Sequence, residues 1–321
     1  MNVASATEGF LYSSRSGTLS PATADNYQSQ LKRFIEWYGD RDIETITSRD
    51  LDEYLNRLQR TEYQKTKDTV GTLSLSSVVS HYRTIRALFA WLAQEQIVGA
   101  RPDTVKARKA PQALVEPFTE DEVKKILKAC EYTHEVKPDG KRPYTMKRPT
   151  HLRDKAMVLM LLDTGLRVGE LSRLTIGDVN MASGEISVKP WLSGKKSMAR
   201  HVYLGATSKT ALWKYLDTRK QAHKDHPLFK STRGGGVDRH SVARLLEEMG
   251  ERAGVPGVHP HRFRHTYAIE ALRNGMDIFT LQTNLGHSSL AMVRYYLTIA
   301  KSDQKAAQER TSPADHWRLR P

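Results

Sequence analysis

The residues best suited to chemistry lie near the C-terminus. Positions 259–296 read HPHRFRHTYAIEALRNGMDIFTLQTNLGHSSLAMVRYY. A three-residue step places His261 and Arg264 on one face of a helix, with His265 beside them. A second polar cluster is LGHSSL at 285–290, where Gly286 can end one helix and Ser288 or Ser289 can cap the next. Tyr296 follows nine residues after His287. Arginine offers a fork of donors to phosphate oxygens, histidine moves protons near neutral pH, and tyrosine can serve as a nucleophile. Such a set suits the breaking of a phosphodiester through a covalent protein–phosphate bond.

Plainer readings exist for each piece. His261 and His265 are four residues apart and could grip a metal, but no HExxH motif, cysteine cluster or nearby carboxylate pair supports one. His287, after a glycine, could merely close a turn. Upstream, in TGLRVGEL at 164–171, Arg167 and Glu170 could form a surface ion pair at i, i+3. The functional reading gains weight because every piece points to the same phosphate.

The pieces HRFRH (261–265), LGHSSL (285–290), the tyrosine nine residues after its histidine, and TGLRVGEL carrying Arg167 resemble the tyrosine recombinase, or phage integrase, family. The resemblance runs from about Pro21 onward. Each motif alone is weak, whereas four in this order and spacing are specific. It implies a site-specific recombinase of the two-domain type. Tyr296 would attack a scissile phosphate, leaving a 3′-phosphotyrosine and a free 5′ hydroxyl. Arg167 and Arg264 would grip the non-bridging oxygens, His261 would act as general base and His287 would add a hydrogen bond. The family's general acid is a hairpin lysine. Counting back from Arg200-x-Val202-x-Leu204 assigns Lys195, with Lys196 as its neighbour. The partners implied are double-stranded DNA recombination sites and three further copies of the chain, exchanging strands through a four-way junction. No metal, nucleotide or other cofactor is implied. Two rivals share much of this pattern: a type IB topoisomerase-like nicking and resealing enzyme, and an inactive DNA-binding accessory protein.

Composition agrees with a nucleic-acid partner. The 321 residues carry a formal charge of +14, of which the first 115 residues contribute +2 and the rest +12. No long apolar run suggests a membrane. The single cysteine, Cys130, excludes internal disulfides and fits a buried thiol in a reducing cytoplasm. Gly234-Gly235-Gly236 lacks the GK[ST] of a phosphate loop.

The fold expected is mainly α with a small β-sheet (α+β). Residues 1–20 read as a flexible extension, and 21–110 as an all-helical domain that the resemblance identifies with core binding of DNA. The linker is 111–117, and 118–321 forms a mixed α/β catalytic domain with a C-terminal tail. In the first domain, Tyr27, Leu31, Phe34, Ile35 and Tyr38 form one apolar stripe. A second helix begins at Ser48 and a third spans 75–92, after a polar stretch at 65–72. On that third helix Ser77, His81, Arg83, Thr84 and Arg86 would face a DNA backbone or simply solvent, and the resemblance favours DNA. Lys106, Arg108 and Lys109 suit a strap on the duplex or a solvated linker. Thr119 and Glu122 make a capping box. Residues 131–150 read as a polar loop, either a basic DNA-contacting insertion or, the favoured reading, a passive surface loop. Short strands are expected at 185–188 and 200–204, and a strand-like entry at 227–229. In the tail, 303–310 reads as a polar helix, and Trp317 and Leu319 read as docking residues, which in the family often pack on a neighbouring subunit.

Overall fold

The computed structural model describes residues 1–16, 20–66, 69–97, 116–133, 142, 144–190, 199–286 and 290–300, with 308, 312, 313 and 317 beyond them. The 111–117 linker up to residue 115, with Lys106, Arg108 and Lys109, lies outside these residues, as do the turn bearing Lys195 and Lys196, His287 with Ser288 and Ser289, and Leu319. The chain forms two compact units, one spanning 1–113 and the other built from 114–191 and 195–321.

The first unit is helical. It contains α1 (Val3–Ser16), α2 (Pro21–Tyr38), α3 (Ser48–Arg60) and α4 (Leu75–Gln94). The opening residues, expected to be a flexible extension, are therefore a helix. Val3, Ala6 and Phe10 fall on one face and are buried, and the Phe10 ring stacks on Tyr27 with centroids 5.6 Å apart. Small side chains permit close packing: a Cβ on Gly9 would come within 2.9 Å of the Trp91 ring. The stripe of α2 is inward as expected, with Leu31, Phe34 and Tyr38 buried. Helix α3 begins at Ser48 as expected, and Thr47 caps it in a reciprocal box with Asp50. The polar stretch overlaps an antiparallel hairpin of β1 (Tyr63–Thr66) and β2 (Thr69–Gly71).

On α4, Arg83 and Arg86 are exposed, but His81 and Thr84 are buried and cannot reach a DNA backbone. Thr84 donates to Gln30 Oε1 at 2.6 Å, and His81 Nδ1 lies 3.1 Å from the Tyr54 hydroxyl. Burial, assisted by Arg33, brings the His81 imidazole down to about 4. The unfolded chain would protonate this group near ~6.5, so its contribution is complete above that pH and is lost as pH falls toward 4, by up to ~3 kcal/mol. Thermal unfolding between pH 7.5 and 4 should thus be steeper in pH for the wild type than for His81→Asn. Equal slopes would refute the assignment.

The second unit packs α5 (Glu120–Glu131), α6 (His151–Thr164), α8 (Ala206–Asp217), α9 (Arg239–Ala253) and α10 (Pro260–Arg273) around one core. The helix of α5 starts at the expected Thr119–Glu122 box. Cys130 is buried and free, and burial pushes its thiol up to about 12, so it is inert. The described part of the 131–150 loop includes a bridge between Tyr132 and Lys147.

One-turn α7 (Val168–Leu171) precedes a three-stranded antiparallel sheet of β3 (Val179–Asn180), β4 (Glu185–Val188) and β5 (Arg200–Tyr203). The strand pair expected from sequence is present, with Ile186 opposite Val202 and Val188 opposite Arg200. Alternation turns Arg200 and Val202 inward together. Residues 227–229 are not a strand: Pro227 makes one isolated bridge to Thr175. The unit continues through α11 (Ile278–Leu285) and α12 (Ala291–Ala300). These two pack with α10 around Ala268, Ile269, Leu281, Leu285, Val293 and Tyr296. Of the expected tail features, Trp317 is 73% exposed, and most of 303–310 lies outside the described residues.

Candidate active site

Arg167 owes its place to two sharp local features. Helix α6 ends at Gly165 in the left-handed conformation, φ 59°. A side chain there would collide with the Tyr267 ring, so glycine is needed for both backbone and space. The chain then turns and Arg167 becomes the N-cap residue of α7. Its amide donates to Glu170 Oε2 at 2.8 Å, in the manner of a capping box.

Glu170 is no surface ion-pair partner. Its side chain is 3% exposed and faces Arg200, itself 2% exposed. Arg200 donates from Nη1 to Oε1 at 3.0 Å and from Nη2 to Oε2 at 2.8 Å, a two-pronged pair. Arg167 Nη1 donates to the same Oε1 at 3.1 Å. Burial pushes the Glu170 carboxyl upward, but the Arg200 hydrogen bonds and charge, joined by the Arg167 amide and guanidinium, outweigh it and hold the group at about 2. A permanent anion thus sits between two permanent cations.

The C-terminal end of α11 supplies the second anchor. Arg200 Nε donates to the Asn284 carbonyl at 2.7 Å, Arg264 Nη2 to the Leu285 carbonyl at 2.6 Å, and Arg167 Nη2 to the Gly286 carbonyl at 3.2 Å. Three successive carbonyls each hold one guanidinium. Carbonyls in the last turn of a helix lack partners within it and carry the negative end of its dipole, so cations suit them. Gly286 caps α11 at φ 60°. A Cβ on it would lie 3.0 Å from Arg200 Nη1, so the glycine of the LGHSSL motif also makes room for an arginine.

Arg264 comes from α10, where it is buried, and its Nη1 donates to the Gly165 carbonyl at 2.6 Å. Burial and the nearby Arg167 charge lower its pKa to about 10, leaving it a cation at neutral pH. The start of α10 is pinned by its neighbour Arg262. That guanidinium lies 4.0 Å above the Phe118 ring and donates to both Glu122 oxygens at 3.0 Å. Thr266 Oγ1 accepts from the Phe118 amide at 2.8 Å. These bonds fix the rotation of α10, and hence which of its side chains face α12.

Tyr296 is the α12 residue that meets this face. Its side chain is buried, with the residue 1% exposed, and its hydroxyl lies 2.7 Å from His265 Nδ1. The two rings have centroids 5.5 Å apart. Burial raises the hydroxyl's pKa and Tyr295 adds to the rise, while the charges of Arg264 and Arg167 pull against it. His261 is exposed, one turn earlier on α10, its ring 6.5 Å from that of His265. Desolvation first, then Arg264, His259 and Arg167, lower its pKa.

Of the residues expected from sequence, Arg167, Arg264 and Tyr296 are brought together, with His261 at the margin. Lys195 and His287 lie outside the described residues. Three participants were not anticipated in these positions: Glu170 as a buried anchor, Arg200 as its partner, and His265 at the tyrosine hydroxyl. The inward alternation of β5 was the available signal for Arg200, since an arginine between buried neighbours requires a carboxylate.

Comparison with known proteins gives the family. Residues 116–303 match the phage integrase family, and residues 8–98 match the phage integrase N-terminal SAM-like domain. The tyrosine recombinase XerC of Haemophilus ducreyi is 30% identical over 281 residues, spanning 87% of this chain and 84% of that protein. The Tn1549 transposon integrase, solved in complex with a circular intermediate DNA, shares the fold. Its TM-score is 0.74 at 18% identity, over 97% of this chain and 99% of that one. A lambda integrase dimer bound to a core site gives 0.68 at 18% identity, over 92% and 95%. A family match across more than half the chain, together with a relative of this identity along most of its length, makes this protein a member of the phage integrase family and a tyrosine recombinase.

Proposed function

We propose that this protein recombines DNA at specific sites with Tyr296 as its nucleophile. The observation that carries the reading is the buried Tyr296 hydroxyl held against α10, the helix that also supplies the anchored Arg264, which shares the carbonyls at the end of α11 with Arg167. A phosphodiester gains negative charge on its non-bridging oxygens at the pentavalent transition state. Guanidinium donors already fixed in place stabilise that charge without reorganising, each worth roughly 3 kcal/mol. Arg167 is the more accessible of the two, its side chain 34% exposed.

Attack by Tyr296 forms a 3′-phosphotyrosine and releases a 5′ hydroxyl. The link conserves the bond energy, so a 5′ hydroxyl from a partner strand can reseal it without ATP. Lys195 protonates the departing 5′ oxygen and His287 adds a phosphate hydrogen bond, as the family resemblance implies. His261 lies three residues before Arg264 on the same helix. A lambda integrase is solved as a dimer bound to a core site, and the XerH site-specific recombinase is solved bound to a palindromic difH substrate. In this chain four copies on two sites would exchange strands through a four-way junction. The working compartment is the cytoplasm, and among the described residues no helix is long and apolar enough to cross a membrane.

Purified protein incubated with genomic DNA fragments tests the reading. Expected are denaturation-resistant protein–DNA adducts at discrete sites, each with a free 5′ hydroxyl, and recombinant products when two such sites are present. Adducts with relaxation of supercoils but no recombinants would instead indicate nicking and resealing alone. DNA binding with no adduct would indicate an accessory protein.

The leaving group gives a separate prediction. Lys195→Ala should cleave slowly on ordinary DNA, by about 10²-fold or more, and recover largely on DNA with a 5′-bridging sulfur, which departs without a proton. Arg167→Ala should not recover. Recovery by Lys196→Ala in place of Lys195→Ala would move the role by one residue.

A further inference from the structure

The hydroxyl of Tyr296 has one described hydrogen-bond partner, and it is not the histidine expected from the motif. His261 and His265 stand one turn apart on α10. His261 is exposed, whereas His265 is partly buried and turned toward α12. From the 2.7 Å contact between His265 Nδ1 and the Tyr296 oxygen, and from the ring packing that fixes it, we propose that His265 is a catalytic residue that takes the Tyr296 proton during cleavage and returns it during resealing. This rests on Tyr296 being the nucleophile.

A base must hold a free lone pair at working pH. Among the described residues, the charged and titratable groups around His265 are His261 and Arg264 on its own helix, His259 at that helix's N-cap, and Tyr296 from α12. Burial first, then His261, Arg264 and His259, lower its pKa to about 4. The ring is therefore neutral across the physiological range. With the proton on Nε2, Nδ1 accepts from the tyrosine. A base this weak would not ionise a free phenol. As the tyrosine oxygen bonds to phosphorus, however, its remaining proton becomes strongly acidic, so transfer to a weak, correctly placed base becomes favourable within the same step.

The step balances. The Tyr296 O–H bond breaks and its proton passes to His265 Nδ1, while the tyrosine oxygen forms its bond to phosphorus. The bond from phosphorus to the 5′ oxygen breaks, and that oxygen leaves with the proton of the general acid. Resealing runs the same path in reverse. The 5′ hydroxyl attacks, and protonated His265 restores the phenol.

Two variants separate proton transfer from simple positioning. His265→Asn keeps an acceptor oxygen for the hydroxyl but cannot take its proton, and His265→Phe removes both functions. The assay is single-turnover covalent attachment to a nicked duplex carrying a site mapped by adduct capture, with thermal unfolding and DNA affinity measured alongside. Expected at pH 7 is a loss of about 10²-fold or more in both variants, without rescue by a 5′-bridging sulfur. Their residual rates should climb roughly tenfold per unit between pH 7 and 9, as hydroxide replaces the missing base, while the wild type stays nearly flat. Resealing of preformed adducts should slow in parallel. If His265→Asn cleaves within fivefold of wild type, or if the pH profiles coincide, the proposal is overturned. Should His265→Phe fail to fold, His265→Asn alone decides. Absence of adducts from the wild-type protein would instead overturn the recombinase reading, and Tyr295→Phe abolishing adducts would overturn the nucleophile assignment.

Discussion

Replacing Tyr296 by Phe should abolish covalent attachment to DNA while leaving DNA affinity and folding almost intact. The ring is held by the apolar cluster of α10, α11 and α12, which includes Ile269, Leu281, Leu285 and Val293, and phenylalanine fills the same space. Only the hydroxyl is lost, with its hydrogen bond to His265, at a cost to stability of about 1 kcal/mol. Chemistry, by contrast, loses the atom that forms the bond to phosphorus, so adducts should fall to background. Tyr295→Phe is the control. Its ring is adjacent, with centroids 6.0 Å apart, but successive helical residues diverge by about 100° and cannot occupy one position. Adduct formation should survive that change within a few-fold. Denaturing electrophoresis of protein mixed with labelled DNA reads both outcomes. A Tyr296→Phe protein that still forms adducts would sink the assignment.

How much of this was legible before the fold depended on whether a partner was near in sequence. Gly286, the helix it ends, and the capping box at Thr119 are local features, and local rules found them. Arg167, Arg264 and Tyr296 were legible because their motifs keep family spacing. The role of Glu170 was not legible. A carboxylate three residues from an arginine suggests an exposed pair, and nothing local reveals that Arg200, thirty residues later, shares it. Arg200 entered the reading only as a register mark for Lys195. His265 was visible beside Arg264, yet which histidine meets α12 depends on the rotation of α10, set by Arg262 against Phe118 and Glu122. The first helix was missed for a different reason. Its serines, threonines and alanines suggest a loose segment, but small residues let α1 lie close enough to Trp91 for a few apolar side chains to hold it.

The Glu170–Arg200 pair leads to the second large effect, because removing one member leaves the other buried and charged. Arg200→Met should destabilise the protein by roughly 3–5 kcal/mol, the usual cost of breaking such a pair from one side. In a unit of this size that lowers the melting temperature by on the order of 10 °C. Glu170→Gln should also be costly, since Arg167, Arg200 and Arg264 would then share one region without their anion. The double variant Glu170→Gln/Arg200→Met should be less unstable than the sum of the singles, with coupling of several kcal/mol, because neither charge is left stranded. pH supplies an independent check. The Glu170 carboxyl is depressed to about 2 in the fold, so the stability it contributes is present above the unfolded value near ~4.5 and is lost as pH falls from there toward 2. Glu170→Gln should flatten that part of the profile. Cleavage should respond differently from stability. In Arg200→Met, Glu170 has only Arg167 left to neutralise it, so the guanidinium that must face the phosphate is drawn into an internal pair. The double variant should therefore regain cleavage along with melting temperature, though not fully, because Arg167 still lacks its carboxylate anchor. If the singles and the double melt additively, or if Arg200→Met cleaves DNA at the wild-type rate, Arg200 is ordinary structural packing and not the charge that keeps Arg167 available.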